Sequence, residues 1–563
     1  MGLMGTSIVS RLFGPGPREG PGHLWPRWLF LRALGLIFLS AFFSLLFQIR
    51  GLIGPDGVLP AGPYLQEVGR QLGWRAYWFA PSVYWFDSSG HAMMLVTWLG
   101  LAASVALVLN LWPRGALAVC MVSYLSFVTA GQDFSSYQSD GMLLAAGFIS
   151  LFFAPPGMRP GLGEEHPPSR ASLFLLQWEW FRIYFESGFV KLASHDIEWR
   201  NLTALDQYYS NGPLPDWIGW YAQQLPHWVH AATALATLVT ELGICWMLFL
   251  PRRYRLICFF IVTPFQIGII LTANLAFINH LALSLGILLL DDKFLRDVFG
   301  WLAKKLKIAD WKLQIGRPRL ETRNSEAGTE QMADGEEQPP AKEGWRHSLK
   351  LVTRRLSLVG SAVALIWIFY VTTFLLLRLV IPGLPLPVAP VVALQPFRIA
   401  NQYGLFAVMT RGRYEIEFQG SRDGEHWTAY PFRYKPQRTD QAPRWYAPYQ
   451  PRFDWNLWFA SLVPWRQAPI VVRTEEQLLV NDKAVLSLFA GNPFPKSPPL
   501  VVRAVMWQYW FTDFKTRNQT GQWWRREYLG LYAPVLEREP DGKFGVVAWP
   551  TQMLPPPESP GEP

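Results

Sequence analysis

The segment Trp178–Tyr209, "WEWFRIYFESGFVKLASHDIEWRNLTALDQYY", decides the fold because it carries charges inside an apolar run. Residues 171–192 are long and apolar enough to span a membrane, since about 20 mostly apolar residues cross roughly 30 Å of hydrocarbon. Four charged side chains nevertheless fall within this run: Glu179, Arg182, Glu186 and Lys191. Because a charge in the middle of a bilayer is costly, the segment predicts a span whose charged face lies toward a helical bundle or a water-filled cavity.

Three of these charges are predicted to form an intramembrane network. On a helix, Glu179 and Arg182 are three residues apart and Arg182 and Glu186 are four apart, so the three share one face. We predict that Arg182 pairs with both acids, and a proton relay is the alternative. Lys191 points away from this face, near the outer end of the span. It is either a lysine that snorkels to the interface or a buried general base.

Apolar segments along the chain predict a polytopic α-helical membrane bundle. Half of the residues are hydrophobic, yet the mean hydropathy is only +0.11, so large polar segments accompany the spans. We predict about nine spans, three of them short, at residues 28–49, 91–111, 114–130, 140–154, 171–192, 227–250, 255–273, 276–290 and 356–381.

The loops between the predicted spans differ in their Lys and Arg content. Loops 131–139 and 273–276 have neither residue, whereas the alternate loops contain Arg114, Arg159, Arg170, Arg252, Arg253 and Arg255. The positive-inside rule therefore predicts a cytoplasmic N-terminus and an extracytoplasmic C-terminal domain. The same rule explains the net charge of +9, and since no nucleic-acid-binding motif is present, we predict no nucleic-acid partner.

Changes in composition along the chain also predict the domain limits. A stretch such as "RNSEAGTEQMADGEEQPPAKEG" cannot bury enough apolar area to offset chain entropy. We predict a cytoplasmic N-terminus (1–27), a transmembrane domain (28–300), a disordered cytoplasmic linker (301–350), a last transmembrane helix (351–382), an extracytoplasmic, mostly β domain (395–545) and a disordered tail (546–563).

The β domain is predicted from alternating and aromatic-rich runs. "RYEIEFQGSRDGEHWTAYPF" alternates apolar and polar residues around Asp423-Gly424, which is typical of a hairpin turn. We expect a sandwich-like domain. Aromatic residues in "RFDWNLWFASLVPW" and "MWQYWF" form either its core or a docking surface for a partner.

Other polar residues are weaker candidates. His227 and His230 are three residues apart, but two histidines are too few for a zinc site, so we predict no metal. His195, with Asp196 and Glu198, follows Lys191 on the outer side as either solvated charges or part of a site. Polar residues inside spans, namely Glu241, Asn274 and His280, serve either packing or function.

At "YFESGFVKL", "WRNLTALDQYYSNGPLP" and several other blocks, the chain resembles the lipase maturation factor family. The first motifs match at Gly188, Lys191, Leu192, Trp199, Arg200, Asn201, Leu202, Thr203, Asp206, Tyr208, Pro213 and Pro215. The resemblance continues in "GQDFSSYQSDGMLLAAGFISLFFAP", "LTANLAFINHLALSLGILLLDD", "FDWNLWFASL", "GNPFPKSPPLVVRAVMWQYWFT" and "GQWWRREYLGLYAP". The chain departs from the family pattern at Ser139, where Trp is usual, and at Ala145, where an acid is usual.

The resemblance implies a membrane-embedded, chaperone-like maturation factor. Animal members lie in the endoplasmic reticulum and help dimeric secreted lipases fold and assemble, and their C-terminal domain contacts the lipase. For this chain the resemblance implies a lipase-like extracytoplasmic client bound through the β domain, with membrane lipids around the bundle. The membrane would be that of the endoplasmic reticulum or a bacterial inner membrane.

A more distant similarity links the helical part to vitamin K-dependent γ-carboxylase. That family has a "YF-x-x-G-x-x-K-L" stretch, which Tyr184 to Leu192 matches. The similarity implies an alternative function as a membrane enzyme with lyase or oxidoreductase chemistry on a lipid-soluble substrate. Lys191 would be its general base, with Tyr184 and His195 as neighbours. The sequence identifies no cofactor, and transport along the face of Arg182 is a third hypothesis.

Overall fold

The computed structural model describes residues 9–14, 16, 22–305 and 341–551 of the chain. Within these ranges a helical bundle is followed by a C-terminal domain that contains a β-sheet. The labelled helices of the bundle are α1 (Leu24–Leu46), α2 (Gly90–Val108), α3 (Pro113–Ala130), α4 (Gln138–Phe153), α5 (Arg170–Ala193), α6 (His227–Leu242), α7 (Arg252–Thr272), α8 (Ile278–Gly286), α9 (Asp292–Lys305) and α10 (Ala341–Val380). Short helices at Ile49–Ile53, Ala61–Leu72, Ala76–Phe79, Ile197–Arg200, Tyr208–Asn211, Trp217–Gln223 and Ala389–Leu394 connect them.

Six helices in the described part of the chain are long and apolar enough to cross a membrane. They are α1, α2, α3, α7, the Arg355–Val380 part of α10, and α6 extended to Phe249 by a 3-10 helix. All nine predicted segments are helical, but the predicted count of nine spans is not confirmed. Helices α4 and α8 are too short, and α5 carries five charged residues. The protein is an integral membrane protein with several apolar helices, as predicted.

Helix α1 lies inside the bundle and packs against α2. Apart from Arg27 and Arg32 in its first half, apolar residues lie on all sides of α1, which is the pattern of a helix that is buried in protein or lipid all round. Phe38 and Phe42 of α1 lie edge-on to the ring of Tyr124 on α3, with ring centroids 6.0 and 5.7 Å apart. On α2, a Cβ at Gly100 would come within 2.3 Å of the Phe42 ring, so only glycine permits this close packing.

The two ends of the bundle have different partners. Loops 131–139 and 273–276 face the C-terminal domain, since the Phe134 carbonyl accepts from Arg452 and Asn274 accepts from the Tyr446 N–H at 2.6 Å. At the opposite end Arg252 pairs with Asp291. The arginine-rich first turn of α7, residues 252–255, therefore lies away from the C-terminal domain, although which end faces the cytoplasm stays a prediction.

The C-terminal domain consists of β1 (Arg413–Ser421), β2 (Trp427–Ala429), α11 (Arg452–Ala460), α12 (Pro469–Leu479), β3 (Val501–Phe511), β4 (Trp524–Leu531), β5 (Val535–Arg538) and β6 (Phe544–Ala548), with short helices at Lys483–Leu486 and Phe514–Thr520. Its strands form one antiparallel sheet in the order β2-β1-β3-β5-β6, with β4 also paired to β3. Helix α11 packs on β1, and α12 packs on β3 and β5. A sheet covered by helices replaces the expected two-sheet sandwich, because the aromatic run from residue 452 forms a helix.

The predicted hairpin is confirmed. Strands β1 and β2 pair with Gln419 opposite Ala429 and Ser421 opposite Trp427. Gly424 has a φ of +80°, and the Asp423 carboxylate accepts from the Glu425 and His426 N–H groups at 2.9 and 2.8 Å. The turn therefore combines the conformational freedom of glycine with a side chain that satisfies the turn's own backbone.

Several element bounds differ from the predicted domain limits. Helix α10 begins at Ala341, inside the segment predicted as linker, and β6 ends at Ala548, inside the predicted tail. Residues 306–340 of the predicted linker and 552–563 of the predicted tail lie outside the described residues. Residues 398–412, here called the connector, join the helical part to β1 and run along the bundle.

Candidate functional site

The charged face of α5 binds the connector. Arg182 donates to Glu186 at 2.7 Å, and both side chains are buried. The second Glu186 oxygen accepts from the Tyr403 N–H at 2.6 Å. Arg182 also donates to the Asn401 carbonyl, and its guanidinium lies 5.2 Å from the centroid of the Tyr403 ring. The buried charges thus fix the start of the C-terminal domain to the bundle.

The predicted pairing of Arg182 with both acids is wrong for Glu179. The Glu179 carboxylate instead accepts from the Tyr403 hydroxyl at 3.2 Å. A chain segment more than 200 residues away supplies this partner, so spacing along one helix could not reveal it. The void beside these residues is only about 10 Å³, room for one water at most, and this gives no support to a transport path along this face.

Lys191 is buried and paired. Its Nζ donates to both Glu241 oxygens at 2.7 and 3.0 Å and to the Ser187 carbonyl at 3.4 Å. The Trp199 ring lies 5.2 Å away, within cation–π range. The ammonium therefore has a partner for each of its three hydrogens. Lys191 does stand apart from the Arg182 face, as the helical spacing predicts, but it does not snorkel to the interface.

Gly188 makes the Lys191–Glu241 pair possible. A Cβ at Gly188 would lie 2.8 Å from the Glu241 Cβ and 3.0 Å from the Leu242 Cγ. Such a separation is too short for two carbon atoms, so α5 and α6 approach this closely only with glycine here. The glycine of the motif "GFVKL" thereby positions the lysine that follows it.

A cavity of about 290 Å³, here called the bundle cavity, lies beside this pair. Tyr184, Lys191, Glu241 and Trp199 are on its wall. Helices α5, α6, α7 and α8 and the connector supply the remaining walls. The sequence prediction that Tyr184 and Lys191 share a site is consistent with this placement.

His195 is placed differently from the prediction. It is exposed, is not among the residues that line the bundle cavity, and contacts Arg200. It has a φ of +61°, because the chain turns sharply after α5 and carries the ring to the surface. The prediction that His195 joins Lys191 is therefore not supported.

The remaining motif residues stabilise the C-terminal end of α5. Trp199 donates to the Phe406 carbonyl of the connector at 2.9 Å, and Thr203 bonds to Glu198. Asp206 accepts from His227 at 2.9 Å and from His230 at 3.0 Å. Arg200 and Asn201 are exposed at the end of the short helix Ile197–Arg200. Among the described residues, no group of three or more His, Cys, Asp or Glu side chains could hold a metal ion.

A fully buried ion pair, which was not predicted from the sequence, joins the two domains. Arg452 of α11 donates two hydrogen bonds to Asp140 of α4 at 2.8 and 2.9 Å. It also donates to the Tyr124 hydroxyl at 2.8 Å and to the Phe134 carbonyl at 2.6 Å. Asp140 lies in a motif block and Arg452 begins an aromatic run, but the 312 residues between them conceal the pairing.

A second cavity of about 670 Å³, the junction groove, lies between the bundle and the C-terminal domain. Its aromatic wall comes from α11 and includes Trp455, Trp458 and Phe459. Phe459 is 42% exposed, whereas the two tryptophans are largely buried. Four residues line both this groove and the bundle cavity: Leu275, Ile278, Leu405 and Phe406. The two cavities are therefore neighbours, separated by one layer of apolar side chains.

The interior of the C-terminal domain also holds a perturbed carboxyl group. Burial raises the pKa of Asp454 to about 6, although backbone N–H groups that donate to its carboxylate lower the pKa. Those donors are Tyr434 and Lys435, at 3.2 and 3.1 Å. Asp454 therefore ties α11 to the loop after β2, close to the junction groove.

The apolar bundle and the sheet domain fixed to it by buried charges define a class: an integral membrane protein with one rigidly attached C-terminal domain. Comparison with known proteins then identifies the family. The family model for the lipase maturation factor transmembrane domain matches residues 25–297, and the model for the lipase maturation factor C-terminal domain matches residues 399–534. The chain belongs to the lipase maturation factor family, as its motifs predict.

Individual relatives match over most of their length. The chain is 31% identical over 593 residues to lipase maturation factor 2 of Homo sapiens, covering 92% of this chain and 83% of that protein. It is 31% identical over 557 residues to lipase maturation factor 1 of Bos taurus, covering 96% of this chain and 94% of that protein. No solved structure matches the chain significantly.

Proposed function

We propose that this protein is a membrane-embedded maturation factor that assists the folding or assembly of an extracytoplasmic, lipase-like client. The C-terminal domain makes the contact with the client, in a chaperone-like manner. The names of the relatives and the near full-length similarity support this proposal. The N-terminus faces the cytoplasm and the C-terminal domain faces outward, in the endoplasmic reticulum or a bacterial inner membrane.

The observation that carries the proposal is the chemistry of the junction groove. Trp455 and Trp458 line this groove, and their buried indole N–H groups have no hydrogen-bond partner. A buried donor without a partner costs about 1–3 kcal/mol. An extended client chain supplies carbonyl oxygens for these donors and apolar side chains for the aromatic wall.

The groove also has the mechanical properties that a client site needs. Arg452 and the connector fix it to the bundle, so it is preorganised, and binding then orders few additional groups. Phe459 stands exposed at the groove, where an apolar side chain of the client would cover it. Burying one such side chain contributes about 1.5–3 kcal/mol, which is weak enough for the client to leave once its own core has formed.

The test uses the organism that encodes this chain. The gene is deleted, each secreted lipase is quantified by antigen, and its activity per unit of protein is measured. We expect the specific activity of at least one secreted lipase to fall and the wild-type gene to restore it. Unchanged specific activity of every secreted lipase would overturn the proposed function.

Two matched variants then test the groove. Phe459→Asp places a charge at the groove, and Phe544→Asp places one on β6, where Phe544 is similarly exposed at 38%. We expect the Phe544 variant to restore lipase activity and the Phe459 variant to fail, at equal amounts in the membrane. Restoration by both variants would leave maturation intact but would remove the groove as the client site.

The enzyme hypothesis stays a prediction with one supporting observation, namely that Lys191 and Tyr184 share the wall of the bundle cavity. A general base needs a free lone pair, and Glu241 and Ser187 now engage the Nζ. Catalysis by Lys191 would therefore require Glu241 to release it.

A further inference from the structure

The bundle cavity opens sideways toward the surface of the membrane-spanning helices. Thr233 on α6 and Pro264 and Gly268 on α7 line the cavity and are also exposed. A Cβ at Gly268 would meet no atom within 4 Å, so the space beside it is open. Because α6, with its 3-10 extension, and α7 are long and apolar enough to cross a membrane, this opening lies on a side of the bundle that lipid would contact.

The inner wall of the cavity carries unsatisfied polar atoms among apolar side chains. The Gln266 oxygen and the Asn279 amide nitrogen have no hydrogen-bond partner. Their side chains are more than nine-tenths buried, with exposed fractions of 6% and 8%. An unpaired buried group of this kind costs about 1–3 kcal/mol. An apolar cavity with a few convergent polar groups is the usual form of a small-molecule site.

The charges at the cavity define what it accepts. Lys191 and Glu241 form a pair without net charge, and each hydrogen of the Lys191 ammonium already has an acceptor. A ligand with a net negative charge would therefore find no free cation in this wall. The Gln266 oxygen needs a donor, the Asn279 nitrogen needs an acceptor, and the Tyr184 hydroxyl on the same wall is also unpaired, so the ligand is neutral and carries both a donor and an acceptor.

We propose that the bundle cavity binds a neutral glycerolipid, a mono- or diacylglycerol. Its free hydroxyl donates to Gln266, its ester carbonyl accepts from Asn279, and its acyl chain leaves between α6 and α7. The volume of about 290 Å³ is roughly twice the ~150 Å³ that holds benzene, which suits a headgroup and the start of a chain. A quinone offers carbonyl acceptors but no hydroxyl donor, and a fatty acid or an anionic phospholipid brings a net negative charge.

This proposal is independent of client maturation, since it concerns the bundle cavity and not the junction groove. The test uses the purified full chain in lipid nanodiscs with a photoactivatable diacylglycerol analogue. We expect labelling that unlabelled diacylglycerol suppresses and that equal amounts of ubiquinone, oleate or phosphatidylglycerol do not suppress. Equal suppression by one of those competitors, or no labelling, would overturn the proposal.

Variants locate the site. Asn279→Leu and Gln266→Leu should each weaken labelling about fivefold to tenfold, the effect of losing one hydrogen bond. Thr373→Val is the matched control, because Thr373 carries an unpaired buried hydroxyl on α10 and does not line the cavity. Should a leucine variant fold poorly, Thr237→Trp obstructs the half-buried mouth without altering the inner wall. Undiminished labelling of the folded variants would contradict the assignment.

Discussion

Replacing Arg452 by Met should release the C-terminal domain from the bundle. The substitution keeps an unbranched apolar stem but removes the guanidinium, which makes four hydrogen bonds to Asp140, Tyr124 and the Phe134 carbonyl. Arg452 and Asp140 are both fully buried. Methionine therefore leaves a carboxylate without its cation in a dry interior.

The size of the effect follows from this burial. Breaking a buried ion pair by removing one partner costs about 3–5 kcal/mol, because the remaining charge is uncompensated. The matched control is Arg438→Met, whose pair with Asp440 is exposed. Exposed pairs contribute about 0–1 kcal/mol. The two variants should therefore differ by about 2–5 kcal/mol in the free energy of unfolding.

The assay is denaturant unfolding of the purified chain in mixed micelles, followed by tryptophan fluorescence. A double-mutant cycle with Asp140→Asn isolates the pair, and we expect a coupling energy of about 1–3 kcal/mol. Equal stability of the Arg452 and Arg438 variants, or a coupling energy near zero, would refute the argument that this ion pair joins the domains.

Three further predictions concern the α5–α6 contact and the interior of the sheet domain. Lys191→Met and Glu241→Leu should each lower the free energy of unfolding by about 3 kcal/mol, and the double variant should lose less stability than either single variant. Retained stability with loss of a chemical activity would instead favour the enzyme hypothesis. Gly188→Ala should cost about 1–3 kcal/mol through overpacking, whereas the exposed control Gly360→Ala has free space for its methyl group and should be neutral or stabilising in a thermal melt. Because the pKa of Asp454 is raised from 3.8 to about 6, the folded state holds this proton more tightly, so wild-type stability should fall by at most about 3 kcal/mol as pH rises from 4 to 7. Asp454→Asn should remove this decline in the free energy of unfolding between about pH 4 and 7. An unchanged pH profile would contradict the assignment.

Local patterns in the sequence predicted the features that depend on neighbouring residues. The apolar segments, the hairpin at Asp423-Gly424 and the shared face of Arg182 and Glu186 all follow from spacing along one element. The motif "GFVKL" also marked Lys191 as a residue with a special environment. Each of these features needs only a few consecutive turns or residues to become visible.

Partners supplied from far along the chain could not be predicted in this way. Glu179 accepts a hydrogen bond from Tyr403 and not from Arg182. Lys191 pairs with Glu241, and Arg452 pairs with Asp140. No periodicity connects such pairs, because the fold brings them together. The sandwich expectation failed for a related reason, since the run "RFDWNLWFA" is apolar at both strand and helix spacing and only its packing on β1 selects the helix.

The most direct test of the account is site-specific photo-crosslinking of the client during its synthesis. A benzoylphenylalanine placed at Phe459 reports contact in the junction groove, and one at Phe544 reports contact on the far edge of the sheet. We expect the newly made lipase to crosslink at position 459 and not at 544, and the fully folded enzyme to crosslink at neither position. Crosslinking at 544 alone, or no adduct with a secreted lipase at position 459, would contradict it.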